Sequence, residues 1–335
     1  MVVAGPGTGK THTIVQLIKN IFEKNLNKKM LICTPSNYAI DEIIIRLHNS
    51  GNIMDFKKII DLFDPYNNDD NLFKSFNNFK LIILRYGKGC DKNNLIVQNY
   101  HEDYIIDNLI KIRQNIFKFI KAKNNELTYK NVLLDNLASK QEIHDLEYEN
   151  ELIYLIFSIF KKYLMTENTP GQDEREIFKD LLKELLEISN IVFTTINSSG
   201  NFIFDSLKHN ISHLIIDESS QCYEIQCLLP LRLLPDKVIL IGDPSQLPAT
   251  TFSDFSLRTK FNIGLFERMI DNGYPYIMLD TQYRMNNEIC SFPSSQFYEA
   301  KLKTHYLTIE KDKHYKWIDE VKSHYFNSKS SVFVN

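Results

Sequence analysis

Through much of the 335-residue chain, short apolar runs alternate with stretches of helical periodicity. Met30–Thr34, Lys80–Arg85, Ile191–Thr195, His213–Asp217 and Lys237–Ile241 are nearly continuous in hydrophobicity. That is the pattern of strands covered on both faces. Ile14, Leu17, Ile18, Ile21 and Phe22 recur at helical spacing and predict a helix that opens at Lys10 and Thr11. Strands alternating with helices predict an α/β fold on a parallel sheet. Residues 95 to 188 break the alternation. Ile105, Leu109, Ile112, Ile116 and Phe119 step by four and three, and a second apolar stretch runs from Leu152 to Tyr163. Gly171 and a charged helix from Asp173 to Glu187 follow. A long helical insertion is expected here, projecting as an arm from the sheet. At Tyr276 a new block opens with a strand and a helix carrying Ile289, Phe292 and Phe297. It closes on the start of another strand at Ser331–Val334. The expected division is residues 1–275, with the insertion inside it, and residues 276–335 as an incomplete second domain.

Composition narrows the setting. Hydrophobic residues make up 43% and aromatics 12%, enough for a substantial core. The five cysteines form no C-x-x-C pair and no His–Cys cluster at zinc spacing. Buried, reduced thiols and an intracellular location are expected. No apolar run approaches the ~18 residues of a membrane span, so no membrane partner is expected. No secretory leader is read in Met1-Val2-Val3, which runs straight into a glycine-rich loop. A formal net charge of −3 leaves no basic footprint, so any nucleic-acid contact must come from a local groove.

The chemistry sits in four strings. Ala4-Gly5-Pro6-Gly7-Thr8-Gly9-Lys10-Thr11 has glycines that let backbone N–H groups converge on phosphate oxygens. Lys10 supplies a point charge to the β- and γ-phosphates of ATP, and Thr11 offers its hydroxyl to Mg²⁺. The helix that starts there puts its N-terminus against the phosphates. Asp217 and Glu218 follow an apolar run, at the strand end where α/β sheets bind ligands. Asp217 is the candidate Mg²⁺ residue and Glu218 the candidate acceptor of a proton from the attacking water. Gln246, in Gly242-Asp243-Pro244-Ser245-Gln246-Leu247-Pro248, is a neutral bidentate group suited to sensing the γ-phosphate. Arg284, in Gln282-Tyr283-Arg284-Met285, is a candidate arginine finger. Phosphate cradle, acidic pair, glutamine and arginine in that order imply ATP-driven work on a nucleic acid strand.

Taken together, the strings resemble superfamily 1B helicases of the senataxin and up-frameshift group. The same family's motifs are matched by Thr34-Pro35-Ser36-Asn37-Tyr38-Ala39-Ile40-Asp41 and by Phe193-Thr194-Thr195 through Ser198-Ser199-Gly200. Asp217 to Gln221, Leu265-Phe266-Glu267-Arg268 and Phe292-Pro293-Ser294 with Phe297-Tyr298 extend the match to about residue 302. The resemblance implies RecA-like P-loop domains, with ATP between them and single-stranded RNA or DNA across their top. By that resemblance Pro35, Ser36, Asn37, Thr194, Thr195, Ser198 and Ser199 touch the nucleic acid. Gly5, Gly7, Thr8, Gly9, Lys10, Thr11, His12, Gln282 and Tyr283 hold the nucleotide, with Tyr283 stacking on adenine. The expected setting is a nuclear monomer with RNA-processing or transcription-termination factors as partners. The insertion looks more like senataxin's helical prong than the shorter insert of the up-frameshift protein.

Some positions depart from the pattern. Ala4 stands where the loop's first glycine is usual, Asn286-Asn287 replaces His-Pro, and Ala249 replaces a proline. The family's barrel and adenine loop ahead of the phosphate loop, and its last two motifs, are expected to be missing by truncation. Three functions compete on this reading. The first is an ATP-dependent helicase or translocase on RNA, DNA or a hybrid, moving 5′ to 3′ by resemblance. The second is a nucleotide-gated nucleic-acid clamp with little turnover, and the third a small-molecule P-loop kinase. The third leaves Gly242–Pro248 and Gln282–Met285 without a task.

Overall fold

The computed structural model describes residues 1–51, 53, 56–61, 63–66, 81–91, 93–122, 151–165 and 174–312. The expected strand at Ser331–Val334, and Gly171 in the insertion, lie outside the described residues. Two compact units emerge, both α/β. The first comprises Met1–Leu17, Ile215–Leu228 and Val238–Asn335, and the second Ile18–Leu214 and Leu229–Lys237.

In the first unit the strand β1 (Val2–Ala4) lies between β6 (Lys237–Gly242) and β7 (Ile277–Leu279). Both pairings are parallel, with Val3 opposite Gly242 on one side and Met278 on the other. On the outer side of β6 runs β5 (His213–Ile216). Parallel register puts the C-terminal ends of these strands together, so the loops that leave them converge. Helix α1 (Lys10–Lys24) follows β1 directly. Beyond β7, a small parallel pair joins β8 (Thr281–Gln282) to β9 (Lys303–Thr304). Cys290, Tyr298 and Leu302 form a buried apolar cluster beside it, joined by Met278 and Met285.

In the second unit β2 (Met30–Thr34) and β3 (Ile83–Tyr86) flank β4 (Ile191–Thr195), again in parallel. Thr34 pairs with Thr195 and Tyr86 with Thr194, so these three strand ends also form a row. Helix α2 (Asn37–Asn49) leaves β2, and its inner stripe of Ile40, Ile43, Ile44 and Leu47 is buried. The insertion contributes α4 (Leu95–Gln98), α5 (Glu102–Ala122), α6 (Glu151–Met165) and α7 (Glu174–Ile188). Its described parts are helical, as the seven-residue repeat predicts. They also pack inward, which an arm projecting from the sheet does not convey. Ile105, Leu109, Ile112 and Ile116 are buried, and α5 packs on β3 and on α3 (Phe56–Asp61). Phe160 of α6 meets Phe56 and Phe63, with ring centroids 6.3 and 6.4 Å away. Burial of that apolar stripe is what holds both ends of the insertion to the core.

All five cysteines are free thiols, and Cys33, Cys222, Cys227 and Cys290 are buried. Among the described residues, no helix is long and apolar enough to cross a membrane.

Candidate functional site

The phosphate loop turns on two glycines in left-handed conformation, Gly7 at φ 73° and Gly9 at φ 80°. At Gly7 the lack of a side chain is also required by space. A Cβ there would lie 2.6 Å from the Cβ of Arg284, and the Gly7 carbonyl accepts from the Tyr283 N–H at 2.9 Å. Thr8 is buried and folds its hydroxyl back on the Gly5 carbonyl at 2.8 Å. The loop ends in the N-terminus of a 15-residue helix. The loop fits a polyphosphate.

Lys10 donates to the Oε1 atom of Glu218 at 2.7 Å, with both side chains partly exposed. Glu218 has a left-handed backbone, φ 52° and ψ 34°, and its N–H donates to the Oδ1 atom of Asp217 at 2.9 Å. Asp217 is 4% exposed. Burial pushes its carboxyl up to about 6, the Lys10 charge opposes that rise, and Glu218 adds to it. A buried acid held short of its ordinary ionisation is one that a divalent cation would stabilise strongly. Among the described residues no three His, Cys, Asp or Glu side chains cluster as a metal cage.

Gln246 follows β6, and its amide nitrogen donates to the Oδ2 atom of Asp243 at 2.6 Å. Gly242 has no room for a Cβ, which would sit 2.9 Å from the Ser220 nitrogen. Thus the loop after β6 and the turn after Asp217-Glu218 are locked together.

Gln282 is fully buried. Its amide oxygen accepts from the Arg284 and Met285 N–H groups at 2.8 and 2.7 Å, and its nitrogen donates to Thr304 at 2.7 Å. The side chain is committed to shaping this turn, while Tyr283 and Arg284 stand exposed. Tyr283 joins Gly7, Thr8, Gly9, His12, Leu279 and Asp280 around a cleft of about 560 Å³. The Tyr283 ring stacks on His305 with centroids 4.7 Å apart. Apart from the inward-turned Gln282 amide, the phosphate loop, His12, the acidic pair, Gln246, Tyr283 and Arg284 are gathered around the strand ends of one unit.

The residues assigned to nucleic acid lie in the other unit, on the row of strand ends β2, β4 and β3. Ser36 is exposed and caps α2, its hydroxyl accepting from the Ala39 N–H at 3.3 Å. Thr195 donates to Ser198 at 2.8 Å, and both are partly exposed. Thr194 and Ser199 are fully buried beneath them, and the Thr194 hydroxyl has no hydrogen-bond partner among the described residues.

Sequence reasoning missed what supports this row. Arg85 is fully buried, donating to Asn37 at 2.6 Å, to the Tyr86 and Gly87 carbonyls at 2.7 and 3.2 Å, and to Asp41 at 3.4 Å. The Gly87 N–H is clamped by both Glu102 oxygens at 2.9 and 3.1 Å, and its carbonyl accepts from His101 at 2.8 Å. Burial pushes Glu102 up to about 7 and holds His101 below its usual range. A Cβ on Gly87 would press on Ser198, and one on Gly89 on Asn37. The Gly-x-Gly spacing after an apolar strand was the one available signal.

Two family models described as "AAA domain" match the chain, one over residues 1–254 and one over 261–334. Helicase SEN1 of Saccharomyces cerevisiae is 30% identical over 339 residues, covering 89% of this chain and 14% of that protein. Probable helicase senataxin of Homo sapiens is 27% identical, covering 90% of this chain and 12% of that protein. DNA polymerase alpha-associated DNA helicase A of Saccharomyces cerevisiae is 30% identical, covering 89% and 38%. The chain thus spans well under half the length of these relatives. It belongs to the AAA-domain family, with a RecA-like P-loop fold, and its resemblance to helicases of the senataxin and up-frameshift group extends over nearly the whole sequence.

Proposed function

We propose that this chain is the ATP-hydrolysing engine of a helicase or translocase that works on single-stranded RNA or DNA. The observation that carries the reading is the convergence at one set of strand ends. The phosphate loop, the Lys10–Glu218 pair at 2.7 Å and the Gln246 turn all meet there. Bound Mg·ATP supplies the electrophilic phosphorus and the charge that neutralises its oxygens. The remaining work falls to the chain's own residues. Lys10 moves its bond from Glu218 to the phosphates, which frees the Glu218 carboxylate to accept a proton from water. Thr11 and Asp217 would hold the cation, whose charge would favour the ionised form of Asp217. Arg284, exposed beside the loop, supplies positive charge as the γ-phosphoryl group leaves.

Ser36, Asn37, Thr195 and Ser198 form the nucleic-acid track in this proposal, with Pro35 beside them and Thr194 and Ser199 as its floor. Because β7 pairs with β1, we place the start of a second RecA-like domain beyond that strand, later than residue 275. Monomeric action and nuclear work alongside RNA-processing or termination factors belong to the same proposal. Phosphate release with and without single-stranded RNA, and again with single-stranded DNA, tests it. Stimulation by either polymer supports the reading, and the stronger polymer names the substrate. ATP binding without turnover under both conditions would leave a nucleotide-gated clamp instead.

A further inference from the structure

Gln246 is exposed at the end of its turn, yet its amide is not free to rotate. Its nitrogen donates to Asp243 Oδ2 at 2.6 Å, and that same oxygen accepts from the Tyr298 hydroxyl at 2.7 Å. Asp243 Oδ2 thus links the Gln246 amide to the Tyr298 hydroxyl. Asp243 is 1% exposed and Tyr298 7%. The other Asp243 oxygen accepts from the Ser245 N–H at 3.1 Å, which fixes the carboxylate. A carboxylate only accepts, so it holds the nitrogen end of an amide and never the oxygen end. The remaining polar atom, Oε1 of Gln246, has no hydrogen-bond partner among the described residues. Tyr298 reaches in the other direction too. Its ring lies against the phosphate loop, where a Cβ on Gly5 would meet Cε1 at 3.3 Å.

We propose that Tyr298 is a positioning residue which fixes the Asp243 carboxylate, and that Asp243 in turn holds the N–H side of Gln246 and so presents its carbonyl oxygen to the reaction. Gln246 then acts as an acceptor that orients the attacking water, and not as a donor to the γ-phosphate. Water aligned for in-line attack needs an acceptor on the side away from phosphorus, and a glutamine that could turn over would offer either end. Contact of the same tyrosine with Gly5 ties that orientation to the seating of the phosphates. The inference rests on the ATP-hydrolysis reading above.

The test uses Tyr298→Phe, which keeps the ring and removes the hydroxyl, with Gln246→Ala and the double variant beside it. A fluorescent ADP reports the ground-state site, and ADP with aluminium fluoride mimics the phosphoryl group and its water. Tyr298→Phe is expected to melt close to wild type and bind the fluorescent ADP unchanged. Its affinity for the aluminium fluoride complex, and kcat at unchanged KM for ATP, should fall about tenfold, the scale of one lost hydrogen bond. In the Gln246→Ala background the same change should cost nothing more, because the group it orients is gone. Equal aluminium fluoride binding by Tyr298→Phe and wild type, or full additivity in the double variant, overturns the inference. A wild-type chain that fails to bind the fluorescent ADP overturns the nucleotide site and this inference with it.

Discussion

Lys10 and Arg85 are both cations bonded to a carboxylate, and they use that bond in opposite ways. Among the described residues Lys10 makes a single ion pair, with Glu218, at a place still open to solvent. Arg85 is sealed from water and has four donor contacts, to Asp41, Asn37 and two carbonyls. A cation with one exchangeable partner beside the phosphate loop can hand itself to an arriving phosphate. One with nearly all its donors engaged can only hold a shape. The nucleotide unit therefore keeps its charge available, while the other unit locks charge under the loops it presents.

The largest effect should come from breaking the sealed side of this comparison. Arg85→Met leaves Asp41 buried without its guanidinium partner, removes the Arg85 donor from the Tyr86 carbonyl and leaves the Gly87 carbonyl with His101. A loss of ~3–5 kcal/mol in urea unfolding is expected, as for other broken buried pairs. A loss below ~1 kcal/mol would show that the cluster shapes nothing.

Next in size is the cost of the buried acids. Asp217 is raised from 3.8 to about 6 and Glu102 from 4.5 to about 7. A raised carboxyl releases its proton later in the folded chain than in the unfolded one. Stability is therefore greatest below the unfolded values and falls as pH rises through 4 to 7. Asp217→Asn removes one share, so at pH 8 it should unfold on the order of 2–3 kcal/mol less readily than wild type. The same variant should lose Mg²⁺-dependent nucleotide binding. A pH profile identical to wild type would contradict the burial argument.

Lys10→Ala tests the exposed side. Nucleotide affinity measured by calorimetry should drop about a hundredfold, the scale of a lost charge–phosphate contact, while stability shifts by less than ~1 kcal/mol. The smallest effect is expected from Thr194→Val. The hydroxyl it removes is buried and unpaired among the described residues, so unfolding should be neutral or up to ~1 kcal/mol harder. Nucleic-acid affinity should stay close to wild type, because the position is a floor and not a surface.

The comparison also explains what the sequence could reveal. Gly5 to Thr11, Asp217-Glu218 and Gln246 stand out because their chemistry demands particular residue types at strand ends. The positions of β2, β4 and β6 follow from unbroken apolar runs. Arg85 was no more than the polar end of such a run, Glu102 an ordinary acidic start to an amphipathic helix, and Asp41 the tail of a motif. Burial of a charge depends on partners distant in sequence, and no local pattern records it. The replacement of His-Pro by Asn286-Asn287 was visible as a departure, yet its innocence was not. Asn286 caps the helix Asn287–Phe297 by accepting from the Glu288 and Ile289 N–H groups. Nor did the inward packing of the insertion follow from its repeat, since a seven-residue stripe says that a helix is covered but not by what.

The stack of Tyr283 on His305 has a bearing on which nucleotides the cleft would accept. Ring centroids lie 4.7 Å apart at 36°, and His305 rests in turn on Tyr306 at 4.5 Å. An arriving purine meets a tyrosine that already has an aromatic companion. If it takes the face held by the imidazole, one ring exchanges for another and the net gain is only the difference between two stacks. Discrimination among bases should then be shallow, and ATP and GTP should compete for the cleft on nearly equal terms.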